Sequence, residues 1–260
     1  MSDEAKRFLF GERRLDERVV RWCRLTSWRD RQGVNWLQIP YYDIDGRLIG
    51  VQWRNLTPQR PSQPQSPTQP PSPTQPPSKG GVESIHSPTL TERNLSIQSP
   101  LSRGDLEGSL GGSLGGSVSV RFRFPYGSNC HIYNLPVLNR LKPGEELYIT
   151  EGCSDCWAML SSGHKAIAIP SATLLKPQDL SHLSALTSHL STSFHMYPDN
   201  DEPGERLFLQ LKELLETPSS LNPHPSPLIH HHLPPGCKDY SDYYLKSLSN
   251  PSTSLPSLTR

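Results

Sequence analysis

Leu147-Tyr148-Ile149-Thr150 is a short strand-like run ending on Glu151-Gly152. Phe194-His195-Met196-Tyr197-Pro198 is a second, ending on Asp199-Asn200-Asp201. Carboxylates offer only oxygen donors, the set Mg²⁺ prefers, and Mg²⁺ is the usual companion of phosphoryl transfer. Each run is followed by a helix-like segment, the pattern of βα units in a parallel sheet. Such sheets place their chemistry outside the carboxyl ends of the strands. Glu151, Asp199 and Asp201 are therefore expected to converge at one sheet edge.

The elements that must position them read regularly. Leu147 to Thr150 is a strand, Ser154 to Ser162 a helix and Ala166 to Pro170 a buried strand. A helical stretch from about Gln178 to Leu190 precedes the strand Phe194 to Tyr197. Pro203 to Glu216 is a helix with Leu207, Leu211, Leu214 and Leu215 on one face. A short strand is expected near His231-His232-Leu233, then Lys238 to Leu245 and a disordered tail. Upstream, residues 5 to 29 look helical, with Gly11 separating two short helices. Trp36 to Tyr42 and Leu48 to Arg54 flank Asp43-Ile44-Asp45-Gly46 as a hairpin. Val118 to Pro125 alternates like a strand and is expected to pair beside Leu48 to Arg54.

Between the hairpin and that strand the chain turns to Pro, Ser, Gln and Gly. Ser66-Pro67-Thr68-Gln69-Pro70-Pro71 repeats at once as Ser72-Pro73-Thr74-Gln75-Pro76-Pro77. Such a segment buries too little apolar surface to offset its ordering entropy, so it reads as a disordered insertion. With 27 prolines in 260 residues, much of the chain is expected to join no core. A formal charge of +1 gives no global attraction to nucleic acid, so any such surface must be local. There is no apolar signal-peptide core and no run long enough to span a membrane, so a cytoplasmic protein is expected.

Five cysteines without an export signal read as reduced thiols. Cys153-x-x-Cys156 lacks a second pair at metal spacing, and His230-His231-His232 reads as a solvated loop, so no zinc is expected.

The ordered Glu-Gly and Asp-x-Asp pair resembles the Toprim domain, shared by bacterial primases, topoisomerases and some nucleases. Tyr41-Tyr42-Asp43-Ile44-Asp45-Gly46, Arg54, Tyr133-Asn134-Leu135-Pro136 and Lys238-Asp239-Tyr240-Ser241-Asp242-Tyr243 resemble segments of primases and phage primase-helicases. The likeness covers roughly residues 33–56 and 118–246, and as a whole it is closest to small Toprim proteins of mobile elements and phages. It implies an α/β fold: a Toprim-like four-stranded, mainly parallel sheet flanked by helices, after a small primase-like α+β unit. The corresponding segments are 1–56 and 118–143 for that unit, 57–117 for the insertion, 144–246 for the Toprim domain and 247–260 for the tail.

The resemblance further implies metal-dependent nucleotidyl transfer, primer synthesis, on a single-stranded DNA template with nucleoside triphosphates and Mg²⁺ or Mn²⁺. Asp199 and Asp201 would be metal ligands. Glu151 would be a third ligand or the group relaying the proton of the attacking 3′-hydroxyl. Arg121 and Arg123 would hold triphosphate or template backbone, with Arg54 and Lys238 as lesser candidates. Arg121, Arg123, Arg140 and Lys142 lie in an acid-free stretch, a phosphate track or a solvated face. Asp155 extends the acidic cluster or caps the following helix, and Asp239 and Asp242 are metal-proximal or ordinary helix-start carboxylates. No Cys/His set stands near the N-terminus, and no Gly-x-x-x-x-Gly-Lys-Ser/Thr occurs. A zinc-module or helicase partner is thus expected. The alternatives are a Toprim nuclease and a non-catalytic nucleic-acid-binding accessory protein.

Overall fold

The computed structural model describes residues 1–57, 121–128, 130–220 and 222–249. The repeats of the insertion and the last residues of the tail lie outside them. The chain opens with helix α1 (Asp3–Lys6), a π-helical segment (Arg7–Glu12) and α2 (Glu17–Trp22). Gly11 lies within the π-helical segment, so the expected break falls later, where Arg14 takes a left-handed φ of 52°. The helical reading to residue 29 also fails. Arg24, with φ 51°, ends α2, and Thr26–Arg29 forms strand β1, paired antiparallel to β2 (Asn35–Tyr42).

Strands β2 and β3 (Leu48–Asn55) form the expected hairpin. Its turn closes through the Gly46 N–H donating to the Asp43 carbonyl, with Gly46 at φ 80°. Strand β4 (Phe122–Arg123) pairs with β3 as expected, through Trp53 opposite Arg123 and Arg54 opposite Phe122. The sheet order is β1-β2-β3-β4. Alternation on β2 sends Leu37, Ile39 and Tyr41 into the core against Phe8, Leu9 and Tyr133.

A 3₁₀ turn (Leu135–Arg140) leads into β5 (Glu146–Thr150), α3 (Cys153–Ser161), β6 (Lys165–Ala168), α4 (Pro177–Leu190), β7 (Ser193–Met196) and α5 (Glu202–Glu216). Strand β8 (Leu228–His230) and α6 (Tyr240–Ser249) complete the described chain. The second sheet has order β6-β5-β7-β8, and all its pairings are parallel. Leu147, Ile149, Phe194 and Met196 face Leu207, Phe208 and Leu211 of α5. Tyr148, Ala166 and Ala168 belong to the core formed with α3, α6 and the N-terminal elements. Two differences from the sequence reading concern the C-terminal part. The last strand ends at His230 rather than lying near Leu233, and α6 runs on through Ser249 into the expected tail.

Asp155 explains how α6 is fixed. It is buried in the first turn of α3 and accepts hydrogen bonds from the Ser241 N–H (2.9 Å) and hydroxyl (2.7 Å). Gly152, not Asp155, stands at the N-cap of α3, so the contact is tertiary and not a cap of its own helix. Ser241→Ala removes one of two bonds to a buried carboxylate and is expected to cost about 1.5–3 kcal/mol, read by denaturant unfolding.

Candidate functional site

Parallel pairing brings the carboxyl ends of β5 and β7 side by side, with Ile149 opposite Met196. Glu151 follows the first strand by one residue and Asp199 the second by three, so their segments meet. The Asp199 N–H donates to Glu151 Oε1 at 3.0 Å. Asp201 is the N-cap of α5 and accepts from the Gly204 N–H at 3.0 Å. No hydrogen bond to its second oxygen is seen among the described residues.

Gly204 lies where these pieces pack. A Cβ there would sit 2.4 Å from the Asp199 carbonyl oxygen and 2.7 Å from Glu151 Oε1. Its sequence signal was a glycine two residues inside a helix start where no positive φ is needed. Opposite, the Lys238 carbonyl accepts from the Asn200 N–H at 2.7 Å. Asp239 accepts from the Asp242 N–H and Asp242 from the Lys238 N–H, so both carboxylates serve the start of α6.

The electrostatics are those of crowded, half-buried acids. Burial, then repulsion from Glu151, Asp155, Asp239 and Asp201, pushes the Asp199 carboxyl up to about 8. Burial also raises Glu151, reinforced by Asp201 and Asp155 and opposed by the Asp199 N–H and by Lys238. Asp155 is raised by burial and by Asp239, against the Ser241 bonds and Arg13.

These acids are an all-oxygen set carrying uncompensated charge, which a divalent cation would relieve. Glu151, Asp199 and the second oxygen of Asp201 fit it as donors. Among the described residues, no three His, Cys, Asp or Glu side chains are already grouped to hold one ion.

The arginines divide into separate places. Arg54 lies 4.7 Å over the Phe8 ring and 5.5 Å over Phe122; Arg13 also stacks on Phe8 and Arg121 on Phe122. Burial, Arg121 and Arg13 together lower Arg54 to about 10, against Glu12. Arg13, lost in a densely charged stretch of sequence, thus belongs beside Arg54 and Arg121. Arg123 lies instead over Trp36 at 4.6 Å, and Arg140 over Trp22 at 5.6 Å. The expected track from Arg121 to Arg140 is therefore split among three aromatic rings.

Around the start of α3, Cys153 is half-buried with its sulfur near the Tyr41 hydroxyl, and Cys156 is buried against the Ala166 carbonyl. Burial pushes Cys153 up to about 12, so it stays a neutral thiol. The solvated-loop reading fails for His230 and His231, whereas His232 is exposed and outside any strand. His230 closes β8 with its ring edge-on to Phe208, and His231 Nε2 lies 2.8 Å from His195 Nδ1. Among the described residues no helix is long and apolar enough to cross a membrane.

No protein-family model matches the chain, and no curated protein matches it. Solved structures do. The RNA polymerase domain of Mycobacterium tuberculosis primase DnaG is 15% identical, with a TM-score of 0.54 over 95% of this chain and 74% of that one. The fold is that of a primase catalytic core. The E. coli primase catalytic core is 14% identical, with a TM-score of 0.50 over 95% of this chain and 71% of that one. A DnaG primase catalytic domain bound to single-stranded DNA has the same identity and score, over 94% and 70%. At these identities the likeness to primases is one of fold, and function must be argued from the site.

Proposed function

We propose that this chain is a primase-type Toprim protein, of the small kind found in mobile elements, that joins ribonucleotides on a single-stranded DNA template. The observation that carries the reading is the abutment of Glu151 and Asp199 at the ends of adjacent parallel strands, with Asp199 raised to about 8 by burial and neighbouring acids. Asp199, Glu151 and Asp201 hold Mg²⁺ or Mn²⁺. The bound cation would supply charge stabilisation where the transferred phosphoryl group becomes more negative.

The residues of the chain do the rest. A 3′-hydroxyl oxygen bonds to the α-phosphorus of the incoming nucleotide, and the bond to the pyrophosphate oxygen breaks. The hydroxyl proton passes toward the acidic cluster, where Glu151 already accepts a hydrogen bond and has its carboxyl raised. Arg54 and Arg121, with Arg13 beside them, bind the triphosphate or template phosphates, and desolvation strengthens that attraction. Lys238 offsets charge beside Glu151. Template reading is assigned to a zinc-module or helicase partner.

The test is incorporation of labelled ribonucleotides on single-stranded DNA with Mg²⁺ or Mn²⁺. Product from the wild type and a loss of at least about 10³-fold in Asp199→Ala/Asp201→Ala is expected. Equal synthesis by the double variant would sink the proposal. Cleavage of labelled strands without added nucleotides would instead indicate a nuclease using the same acids.

A further inference from the structure

The histidines at the end of β8 point to two faces of the sheet. Leu228 lies in the core against α5, and alternation puts His230, two residues on, on that same side. The His230 ring stands edge-on to the buried Phe208 ring, with centroids 4.6 Å apart. His231 turns the other way and pairs with His195, while its N–H donates to the Met196 carbonyl at 2.8 Å. The ladder with β7 thus runs one bond past His230 and returns His232 to the α5 side. The His232 ring centroid is 4.5 Å from that of His230. A carboxylate faces the pair: Glu205, in the first turn of α5, brings Oε1 to 3.4 Å from His230 Nε2.

These spacings suit a metal ion. Zinc holds imidazole nitrogen and carboxylate oxygen at about 2.0–2.2 Å, so two such donors at a tetrahedral angle stand about 3.4 Å apart. His230 Nε2 and Glu205 Oε1 have that separation, whereas for a hydrogen bond the contact is long. His232 is exposed, and its ring has room to turn in as the third donor. That turn is required, because no three donors close on one point among the described residues. Two imidazoles with one carboxylate suit ions of the zinc class, while the all-oxygen set of Glu151, Asp199 and Asp201 suits Mg²⁺ or Mn²⁺. The expectation of no zinc rested in part on reading this run as a solvated loop, and His230 does not lie in one.

We propose that His230, His232 and Glu205 form a second metal site, for a divalent ion of the zinc class, with a fourth position left to water. The Glu205 N–H donates to the Asp201 carbonyl at 3.2 Å, so an ion held here ties the end of β8 to the turn of α5 that Asp201 caps. The site shares no donor with the acidic cluster, and its test needs neither template nor nucleotide. Failure of one reading therefore leaves the other standing.

Zn²⁺ binding is measured by isothermal titration calorimetry on the full chain, with Mg²⁺ in excess to occupy the acidic cluster. His230→Ala/His232→Ala is expected to weaken the wild-type Zn²⁺ site at least about tenfold. Glu205→Gln, a conservative change of an exposed side chain, is expected to do the same. Asp199→Asn should keep the affinity within about twofold, since it removes no donor of this site. Zn²⁺ should also raise the thermal midpoint of the wild type and leave that of the double variant unchanged. Melts without metal check that each variant is folded. Wild-type affinity in the folded double variant or in Glu205→Gln, loss of the site in Asp199→Asn, or no Zn²⁺ binding by the wild type would overturn the inference.

Discussion

Asp199→Asn is expected to yield a protein more stable than the wild type at pH 8 and devoid of nucleotidyl transfer. The sign follows from the raised carboxyl. Asp199 ionises near its ordinary 3.8 in the unfolded chain and near 8 in the native one. Between those values the native state holds the extra proton, so stability is full below about pH 4 and declines as pH rises through 8. Asparagine keeps the shape and removes the penalty. Because the group is partly solvated, the gain at pH 8 is on the order of 1–2 kcal/mol, and it should vanish near pH 4. Activity moves the other way: if Asp199 is the metal ligand proposed above, it falls by at least about 10³-fold. Denaturant unfolding at pH 4, 6 and 8, beside primer synthesis, checks both halves. Stability that does not depend on pH in the wild type would contradict the charge crowding on which the site rests.

The second large effect is expected at a residue with no functional group. In Gly204→Ala the added carbon meets backbone on one side and a candidate metal-binding carboxylate on the other, at 2.4 and 2.7 Å. The Glu151 carboxylate can swing aside, but the main chain of Asp199, met at both its carbonyl oxygen and its nitrogen, is not a flexible neighbour. Overpacking of this kind costs about 1–3 kcal/mol. The displacement of Glu151 and Asp199 together is expected to lower activity by at least about 10²-fold even in the folded fraction. Alanine is otherwise the better helix residue, so a purely local view predicts stabilisation. Circular dichroism melts and synthesis rates on the same preparation separate the two.

The sequence reading worked where local pattern and tertiary role coincide. Leu147-Tyr148-Ile149-Thr150 alternates between two buried faces, and α5 carries an unbroken leucine stripe, so both read as elements before any contact is known. Strand β1 failed because four residues, Thr26 to Arg29, carry little periodicity and follow a real helix closely. Only pairing with β2 makes them a strand. At the site, Glu151 and Asp199 were legible from their places after strands. The turn of Asp201 to cap α5 was a local competition between two roles that residue type alone does not decide. The bond of Asp155 to Ser241 joins residues 86 apart, and the sorting of arginines among Phe8, Phe122, Trp36 and Trp22 depends on packing across elements. Such long-range contacts leave no spacing to read.

The claim that Glu151 and Asp199 form a divalent-metal site underlies the rest, and it can be tested without template, nucleotide or partner. The measurement is Mn²⁺ titration followed by electron paramagnetic resonance, on wild type and Asp199→Asn, at pH 6 and pH 8. Saturable binding to the wild type that tightens from pH 6 to 8, as Asp199 gives up its proton, and disappears in Asp199→Asn is the predicted result. Binding that is indifferent to pH and retained by Asp199→Asn would place the metal elsewhere and contradict the account.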